Sequence, residues 1–379
     1  MLQIGAEVLS GRPGGLNRYT WDIAHAFQDL PVDQHWFMMG DCDIQDTGVS
    51  INAVASSSDP LLKRWSALRS AFQKINKVFQ ADIVVTHFAL YAFPLKKHLA
   101  KMSHVVHFHG PWAGESEAEG AGRFSVWGKR QIENAVFATA NRFVTLSQAF
   151  ADILVEQYRV DSSRIRVVPG AIRASEYQTH ISRQQARQRL GFVPDRPTVV
   201  CVRRLAKRMG LERLIQAMVL VEKQCPEVVL YIAGKGPLSP GLEHMIERES
   251  LQGSVELLGF VPDEDLPYLY RAADLSVVPS QSLEGFGLII LESLAAGTPA
   301  FVTPVGGMPE AVYGLDPNLI LESTAVESIA DGLIRGLNGG LDLPSSEACQ
   351  DYVRQHHDWS VIAPRVWDVY REAIEHHHQ

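Results

Sequence analysis

Short apolar runs alternate with amphipathic stretches along the first half of the chain. Each run is brief and rich in β-branched or aromatic residues, which is typical of strands. The predicted strands are LQIGAEV (2–8), HWFMMG (35–40), DIVVTH (82–87), HVVHFH (104–109), RFVTL (142–146) and IRVVP (165–169). Helical spacing occurs between them, near residues 15–30, 60–80, 91–101, 123–140 and 147–157. This alternation predicts a parallel sheet with helices on both faces.

The same alternation restarts in the second half, after a break around residues 170–195, where the chain enters the polar stretch ISRQQARQRLGFVPDRP (181–197). The second set of predicted strands is TVVCV (198–202), VVLYIA (228–233), VELLGF (255–260), LSVVP (275–279), PAFVT (299–303) and NLIL (318–321). We therefore expect two doubly wound α/β domains, over residues 1–172 and 173–359. A helix at about 360–379 is expected to pack back onto the first domain. Such sheets bind ligands in a crevice at the carboxyl ends of their strands.

Composition narrows the class of protein. The length of 379 residues exceeds the size at which a single core stops growing. A formal net charge of −8 argues against a generic nucleic-acid binder. The four cysteines form no CxxC pair, which indicates buried thiols in a reducing compartment. There is no apolar run of membrane-span length and no signal-peptide pattern, so the expected location is the cytoplasm.

The densest chemical pattern is PSQSLEGFGLIILESLAAGTPAFVTPVGGMPE, residues 279–310. A strand ends there, a loop carries Glu284, and a helix begins near Gly287. Backbone N–H groups and the dipole at such a helix start can bind a phosphate. The Glu292 carboxylate can accept hydrogen bonds from two vicinal ribose hydroxyls, and Glu284 is placed to meet a sugar. Two isolated glutamates would be solvated surface residues, but the glycine-rich helix start and the VGG turn favour a nucleotide-sugar site.

With these residues the sequence resembles the retaining family-4 glycosyltransferases of GT-B architecture. Their donor signature is two glutamates separated by seven residues, as Glu284 and Glu292 are. The resemblance runs nearly end to end and includes GGLNRY (14–19), HFHG (107–110), RRLAKRMG (203–210), AGKGP (233–237), LLGFVP (257–262) and AADLSVVPS (272–280). It implies two Rossmann-like domains facing each other across a cleft. The implied reaction is metal-independent, retaining transfer of a hexosyl group from a nucleoside diphosphate sugar to a saccharide or lipid-linked acceptor, in polysaccharide or glycolipid synthesis, without a cofactor.

The resemblance also implies roles for single residues. Glu292 would hold the donor ribose, and Glu284 would contact the donor sugar. The N–H groups near Gly287 and Leu288 would meet the diphosphate. Arg204 would neutralise the charge of the leaving phosphate as the glycosidic bond breaks.

The phosphate-binding motif departs from the family pattern at one position. The family carries a lysine immediately before the glycine that ends the RRLAKRMG motif, as a second phosphate clamp, and this chain has Met209 there. Lys207 and Arg208 are the candidates to supply the missing charge, with Lys207 favoured. On this basis Met209→Lys is expected to tighten binding of the nucleoside diphosphate.

The first half supplies the acceptor side. Glycine at Gly14 and Gly15 lets the backbone approach a ligand, and the family places this loop over the donor phosphates and reacting sugar. The family also carries a histidine before glycine near the donor sugar, which His109 matches. Glu115 is a weaker acceptor-side candidate. A zinc site formed by His87, His107 and His109 is also conceivable. Their spacing along the chain does not match a metal-binding motif and does not support it.

The segment LLKRWSALRSAFQKINKVFQ (61–80) has two interpretations. Its apolar residues form one helical stripe, and its charges are all basic. Either the stripe packs on the sheet and the basic residues face water, or the helix at residues 61–79 makes peripheral contact with the inner face of an anionic membrane.

Three alternatives to the glycosyltransferase hypothesis remain. Asp41-Cys42-Asp43 superficially matches the Asp-x-Asp metal motif of the other large glycosyltransferase architecture. A nucleotide-sugar epimerase can use the same two-domain fold. The uncharged Met209 also leaves open a non-catalytic nucleotide-sugar-binding protein. An NAD oxidoreductase is disfavoured, because no predicted strand is followed by G-x-G-x-x-G.

Overall fold

The structure is a computed structural model that describes residues 1–8, 14–41, 44–46 and 49–377. The chain folds into two compact units. Unit 1 comprises Met1–Ala171 together with Trp359–Gln379, and unit 2 comprises Ile172–Asp358.

Unit 1 contains an eight-stranded sheet. Its strands are β1 (Leu2–Glu7), β2 (His35–Met39), β3 (Ile44–Asp46), β4 (Val49–Ala53), β5 (Ile83–Thr86), β6 (Ser103–Phe108), β7 (Arg142–Thr145) and β8 (Ile165–Val167). They lie in the order β3-β4-β2-β1-β5-β6-β7-β8, with β3 antiparallel to β4 and the other neighbouring pairs parallel. The chain reverses its direction of travel across the sheet between β1 and β5, so the loops after these strands form the switch point where ligands bind.

The helices of unit 1 before the boundary are α1 (Gly15–Ala26), α2 (Leu61–Phe79), α3 (Ala89–Ala92), α4 (Lys96–Leu99), α5 (Trp112–Ala118), α6 (Arg123–Phe137) and α7 (Gln148–Tyr158). The helix predicted at 91–101 is interrupted, because a 3₁₀ turn over Phe93–Leu95 separates α3 from α4. Pro94 lies in that turn and cannot donate a helical hydrogen bond.

The apolar stripe of α2 packs inward. Leu68 and Phe72 are fully buried in the core, and the indole N–H of Trp65 donates to the carbonyl of Leu90 at 2.9 Å. The basic residues Lys74 and Lys77 are exposed. These contacts correspond to the packing interpretation of the segment. Within the part of the chain that the structure describes, no helix has the length and apolar character needed to cross a membrane.

Unit 2 contains five parallel strands, in the order β11-β10-β9-β12-β13. They are β9 (Thr198–Val202), β10 (Val229–Ala233), β11 (Val255–Gly259), β12 (Leu275–Val278) and β13 (Ala300–Val302). The helices are α8 (Ala174–Tyr177), α9 (Arg183–Leu190), α10 (Leu211–Gln224), α11 (Ser239–Arg248), α12 (Leu266–Ala272), α13 (Leu288–Ala295), α14 (Met308–Val312), α15 (Val326–Leu337) and α16 (Ser346–His356). The switch point of this sheet lies between β9 and β12.

The prediction of a strand at residues 318–321 is wrong. A 3₁₀ turn occupies Pro317–Leu319, and the side chain of Asp316 caps it by accepting a hydrogen bond from the Asn318 N–H at 2.9 Å. Only the isolated bridge between Val302 and Ile320 joins this stretch to the described part of the sheet. The proline sets a turn conformation, and capping stabilises it against an extended strand.

The last helix, α17 (Trp359–His377), belongs to unit 1. The Tyr370 hydroxyl lies 2.6 Å from Nε2 of His107 on β6, and both side chains are buried. Glu372 accepts hydrogen bonds from Arg142 at 3.0 Å and from Arg166 at 2.9 Å. Residues that follow unit 2 in the chain therefore complete the core of unit 1.

Candidate active site

In unit 2, the predicted donor residues gather at the switch point of the sheet. Strand β9 leads directly into Arg203 and Arg204, and β12 leads into the loop that carries Glu284. Since β9 and β12 are neighbours and parallel, these two segments leave the sheet at the same edge. Helix α13 begins at Leu288, so the predicted helix start near Gly287 closely follows Glu284 in the chain.

Hydrogen bonds from one backbone N–H and one side chain join the two loops. The Gln281 N–H donates to the Arg208 carbonyl at 2.8 Å, and the Arg208 guanidinium donates to the Leu283 carbonyl at 2.9 Å. Gly210 has a φ of +77°, and a Cβ there would lie 1.9 Å from the Pro279 carbonyl oxygen. Only glycine permits so close an approach of two backbones. The segment after β9 therefore fixes the loop that carries Glu284.

The VGG turn supports Glu284 from the other side. The Gly307 N–H donates to the Glu284 carbonyl at 3.0 Å. Gly306 has a φ of +56°, and a Cβ there would lie 2.0 Å from the same oxygen. The glycine pair recognised in the sequence thus positions the backbone of Glu284.

The Glu284 carboxylate pairs with Arg203, a residue that the sequence did not single out. Nη2 of Arg203 lies 2.5 Å from Oε2 of Glu284 and 2.6 Å from Oγ of Ser280. The same nitrogen lies 2.7 Å from the sulfur of Met209. Burial opposes ionisation of Glu284, but the charge and hydrogen bonds of Arg203, the charge of Arg208 and the Ser280 hydroxyl outweigh it. The pKa of Glu284 is therefore below its ordinary value, and the carboxylate is ionised.

The Glu292 carboxylate is buried on α13, about one helical turn after its start. It accepts a hydrogen bond from the Tyr270 hydroxyl at 3.0 Å. Burial, followed by the nearby charge of Glu292, raises the pKa of Tyr270 well above its ordinary value, so the phenol keeps the proton that it donates. Tyr270 thereby orients a carboxylate at a helix start, where the first backbone N–H groups have no acceptor within the helix.

The remaining cations of the site differ in environment. Arg204 and Lys207 are exposed, whereas Arg208 is half-buried with its guanidinium on the Leu283 carbonyl. Lys207 begins a 3₁₀ turn that ends at Met209, whose side chain is buried. The side chain at position 209 therefore contacts the interior cation, Arg203.

In unit 1, three histidines meet near the carboxyl ends of β5 and β6. Ligand-capable nitrogens of His87, His107 and His109 lie within 4.8 Å of one another, although the sequence spacing did not predict this cluster. His87 Nδ1 is 3.4 Å from His109 Nε2, and His107 lies between the hydroxyls of Tyr19 at 3.3 Å and Tyr370 at 2.6 Å. The partners of His87 and His107 make the cluster a hydrogen-bonded aromatic network.

Burial keeps this network uncharged. It lowers the pKa of His109 to about 3. Burial, followed by the charges of the neighbouring histidines, holds the pKa values of His87 and His107 well below the ordinary range. At neutral pH each ring therefore has one nitrogen that donates and one that accepts. His109 can offer either to a ligand without placing a charge there.

The other predicted residues of unit 1 are more loosely defined. Helix α1 begins at Gly15, and a Cβ built on Gly14 or Gly15 would meet no described atom within 4 Å. Packing among the described residues thus does not explain the two glycines. Glu115 lies in the first turn of α5 and not in a loop, and it is half-buried.

The alternative Asp-x-Asp motif cannot be placed, because Cys42 and Asp43 lie outside the described residues. The described cysteines, Cys201, Cys225 and Cys349, are buried free thiols.

Comparison with known families identifies both halves of the chain. The family model for Glycosyltransferase Family 4 matches residues 13–176, and the model for Glycosyl transferases group 1 matches residues 182–356. The chain belongs to the family-4 glycosyltransferases of GT-B architecture. The matched ranges include the histidine cluster in the first case and the Arg203–Glu284 site in the second.

Relatives of this glycosyltransferase cover it almost completely. It is 26% identical to the D-inositol 3-phosphate glycosyltransferase of Corynebacterium aurimucosum, over 96% of this chain and 92% of the relative. Its fold matches sucrose-phosphate synthase of Thermosynechococcus elongatus with a TM-score of 0.81 at 20% identity, over 98% of each chain. Anabaena HepE, solved in complex with UDP-glucose, matches with a TM-score of 0.79 at 20% identity, over 98% of this chain and 100% of HepE.

Two site features of the glycosyltransferase were missed in the sequence. Arg203 stands next to Arg204, and the doublet at a strand end was the available signal. Tyr270 carries no such signal, because its partner Glu292 is 22 residues away. Only tertiary packing brings these side chains together.

Proposed function

We propose that this glycosyltransferase moves a hexosyl group from a nucleoside diphosphate sugar to an acceptor hydroxyl, with retention of anomeric configuration and without a metal ion. The observation that carries the proposal is the arrangement at the β9–β12 switch point of unit 2. It places an ionised Glu284, a buried Glu292, a helix start and Arg204 on neighbouring segments.

The proposed roles follow the chemistry of the donor. Glu292, oriented by Tyr270, accepts hydrogen bonds from the ribose hydroxyls. The N–H groups of Gly287 and Leu288 meet the diphosphate at the positive end of α13. Arg204 and Lys207 are exposed cations that neutralise charge on the leaving phosphate. A phosphate site made of N–H groups and cations supports metal independence.

On the unit 1 side, His109 offers a neutral imidazole to the donor sugar, and Gly15 allows the backbone to approach the ligand. Glu115 is proposed on the acceptor side, because it is half-buried near Gly110 at the end of β6. The acceptor is proposed to be a saccharide or a lipid-linked saccharide, as in polysaccharide or glycolipid synthesis. The relative from Corynebacterium aurimucosum is a D-inositol 3-phosphate glycosyltransferase, and this supports a hydroxyl acceptor.

We also propose peripheral contact with the cytoplasmic face of a membrane, made by the exposed face of α2. Its apolar stripe is already packed, so exposed Arg69, Lys74 and Lys77 would carry the attraction to anionic lipid. This contact would weaken with rising salt, because exposed charges are screened.

The function is tested by first identifying the donor. Thermal-shift measurements with UDP-glucose, GDP-mannose and ADP-glucose should show one that stabilises the protein, since a ligand that binds the native state raises its stability. Transfer from that donor to a panel of saccharides should then persist in EDTA. NMR should show the same anomer in product and donor. An inverted anomer, or complete loss of transfer in EDTA, would contradict the proposal, and conversion of the donor without acceptor would indicate an epimerase.

Replacing Glu292 with alanine should weaken binding of the full donor and of the bare nucleoside diphosphate alike. The expected cost is about 1–3 kcal/mol, because buried polar partners lose their acceptor. Calorimetry with both ligands measures the effect. Glu247→Ala, which removes an exposed glutamate from α11, is the matched control and should bind normally. Unchanged affinity for the bare nucleotide would exclude Glu292 as a ribose ligand.

A further inference from the structure

Arg203 is a buried cation with an unusual set of partners. Its side chain is 6% exposed, and a single nitrogen meets the Glu284 carboxylate, the Ser280 hydroxyl and the Met209 thioether. A buried charge is tolerated only when it is paired, and Glu284 is the partner that pairs it. The ion pair lies on the residue proposed to contact the donor sugar.

The hydrogen bonding of the Arg203–Glu284 ion pair is incomplete. Nε of Arg203 is buried and has no hydrogen-bond partner among the described residues. An ion pair with an unsatisfied donor contributes little to stability, because desolvation costs as much as the attraction returns. Two well-packed apolar side chains at positions 203 and 284 would stabilise the fold more than this ion pair does. The retained charge therefore points to a role in the site.

The side chain of Met209 accommodates the buried charge of Arg203. Its sulfur lies 2.7 Å from Nη2 of Arg203, so a cation at position 209 would be pressed against the guanidinium. A thioether is uncharged and polarizable, and it tolerates the contact. Positive charge at 203 and positive charge at 209 are therefore alternatives. Met209→Lys, which the sequence leads us to expect to tighten ligand binding, would also set a second cation against Arg203.

We propose that Arg203 is a positioning residue that holds Glu284 as an oriented carboxylate for a hydroxyl of the donor sugar, and that the uncharged Met209 permits this arrangement. The proposal rests on the proposed function, since it assigns a partner to the residue placed at the sugar.

Arg203→Met removes the cation and keeps an apolar side chain of similar length. Without Arg203, burial is the dominant influence on Glu284 and its pKa rises. A protonated Glu284 is a poorer acceptor, so activity is lost at higher pH than in the wild type. The acid limb of the pH–rate profile should move up by about one unit or more. The rate at neutral pH should fall about 10- to 100-fold, the scale of a lost charged hydrogen bond.

The rate is measured as release of nucleoside diphosphate from whichever of UDP-glucose, GDP-mannose and ADP-glucose binds the wild type. Calorimetry with the bare nucleoside diphosphate accompanies it. Affinity for the bare nucleotide should stay unchanged in Arg203→Met, because Glu284 meets the sugar and not the nucleotide.

A sharper test moves the positive charge from position 203 to position 209. Met209→Lys alone should lower the rate, because it sets two cations against each other. Arg203→Met combined with Met209→Lys should recover part of the rate and return the acid limb toward the wild-type position. Met209→Leu, which changes shape without charge, should leave the acid limb where it is.

Arg187→Met is the matched control for loss of a buried guanidinium. Arg187 is also 6% exposed and pairs with Asp274 at 2.7 Å, but Asp274 precedes β12 and so lies at the opposite edge of the sheet. This variant should lose stability with no shift of the acid limb. If Arg203→Met fails to fold, the comparison of Met209→Lys with Met209→Leu decides the question.

Three results would overturn the inference. They are an unshifted acid limb in folded Arg203→Met, a loss of bare-nucleotide affinity equal to the loss of rate, and equal rates in Met209→Lys and Met209→Leu. Failure of the proposed function would be seen earlier and separately, as a wild-type protein that binds none of the three donors.

Discussion

Replacing Arg204 with alanine is expected to lower kcat/KM by about 100- to 1000-fold, the scale of losing one preorganised charge-stabilising group. Arg204 is exposed and follows β9 at the switch point of unit 2. Negative charge grows on the diphosphate as the glycosidic bond breaks, so the arginine acts more strongly in the transition state than in the ground state. Most of the loss should therefore appear in kcat.

Initial-rate kinetics with the identified donor measure this effect. Arg248→Ala is the matched control, because Arg248 is an exposed arginine of the same unit that pairs only with its neighbour Glu249 in the described contacts. Normal kinetics in the control and a near-inactive Arg204→Ala are expected. An Arg204→Ala enzyme with wild-type kcat would remove Arg204 from the mechanism.

Replacing Gly306 with alanine is expected to damage both stability and activity. The methyl group would lie 2.0 Å from the Glu284 carbonyl oxygen, and a φ of +56° is strained for alanine. Such strain costs about 1–3 kcal/mol of unfolding free energy. The Glu284 backbone must also shift, and a displacement near 1 Å in a catalytic group can reduce the rate by about 100-fold.

Denaturant unfolding and donor cleavage should be measured on the same preparation. Gly253→Ala is the control: a Cβ there meets nothing within 4 Å, and its φ is not in the left-handed region. It should behave as the wild type. Full activity in Gly306→Ala would show that the VGG turn does not position Glu284.

The strands of both sheets were largely predictable, for a physical reason. A parallel strand covered on both faces must be apolar along its whole length, so TVVCV defines β9 to the residue. Strands β3 and β4, the last two at one side of the unit 1 sheet, were missed, because VSINA in β4 includes polar residues and has buried and half-buried positions. Residues 318–321 were mistaken for a strand, because a short apolar run does not reveal the turn that Pro317 imposes.

The candidate site was predictable where local pattern encodes it. The spacing of Glu284 and Glu292 around a glycine-rich helix start is visible in the sequence, and so is a histidine before glycine at the end of β6. The pairing of Arg203 with Glu284 spans 81 residues, and that of His87 with His109 spans 22. Partners of this kind depend on which strands become neighbours. The sequence therefore indicated the carboxylates but not the cation that holds one of them.

The position of α17 determines the order in which the nascent chain can complete its two cores. Unit 2 is contiguous and ends at Asp358, so all of its strands have been synthesised before Tyr370 and Glu372 exist. Until then His107 lacks the hydroxyl that lies 2.6 Å from its Nε2. The unit that starts first is thus finished last, although domains generally fold as they emerge. A chain that ended at residue 358 would contain all residues of unit 2 but only part of unit 1.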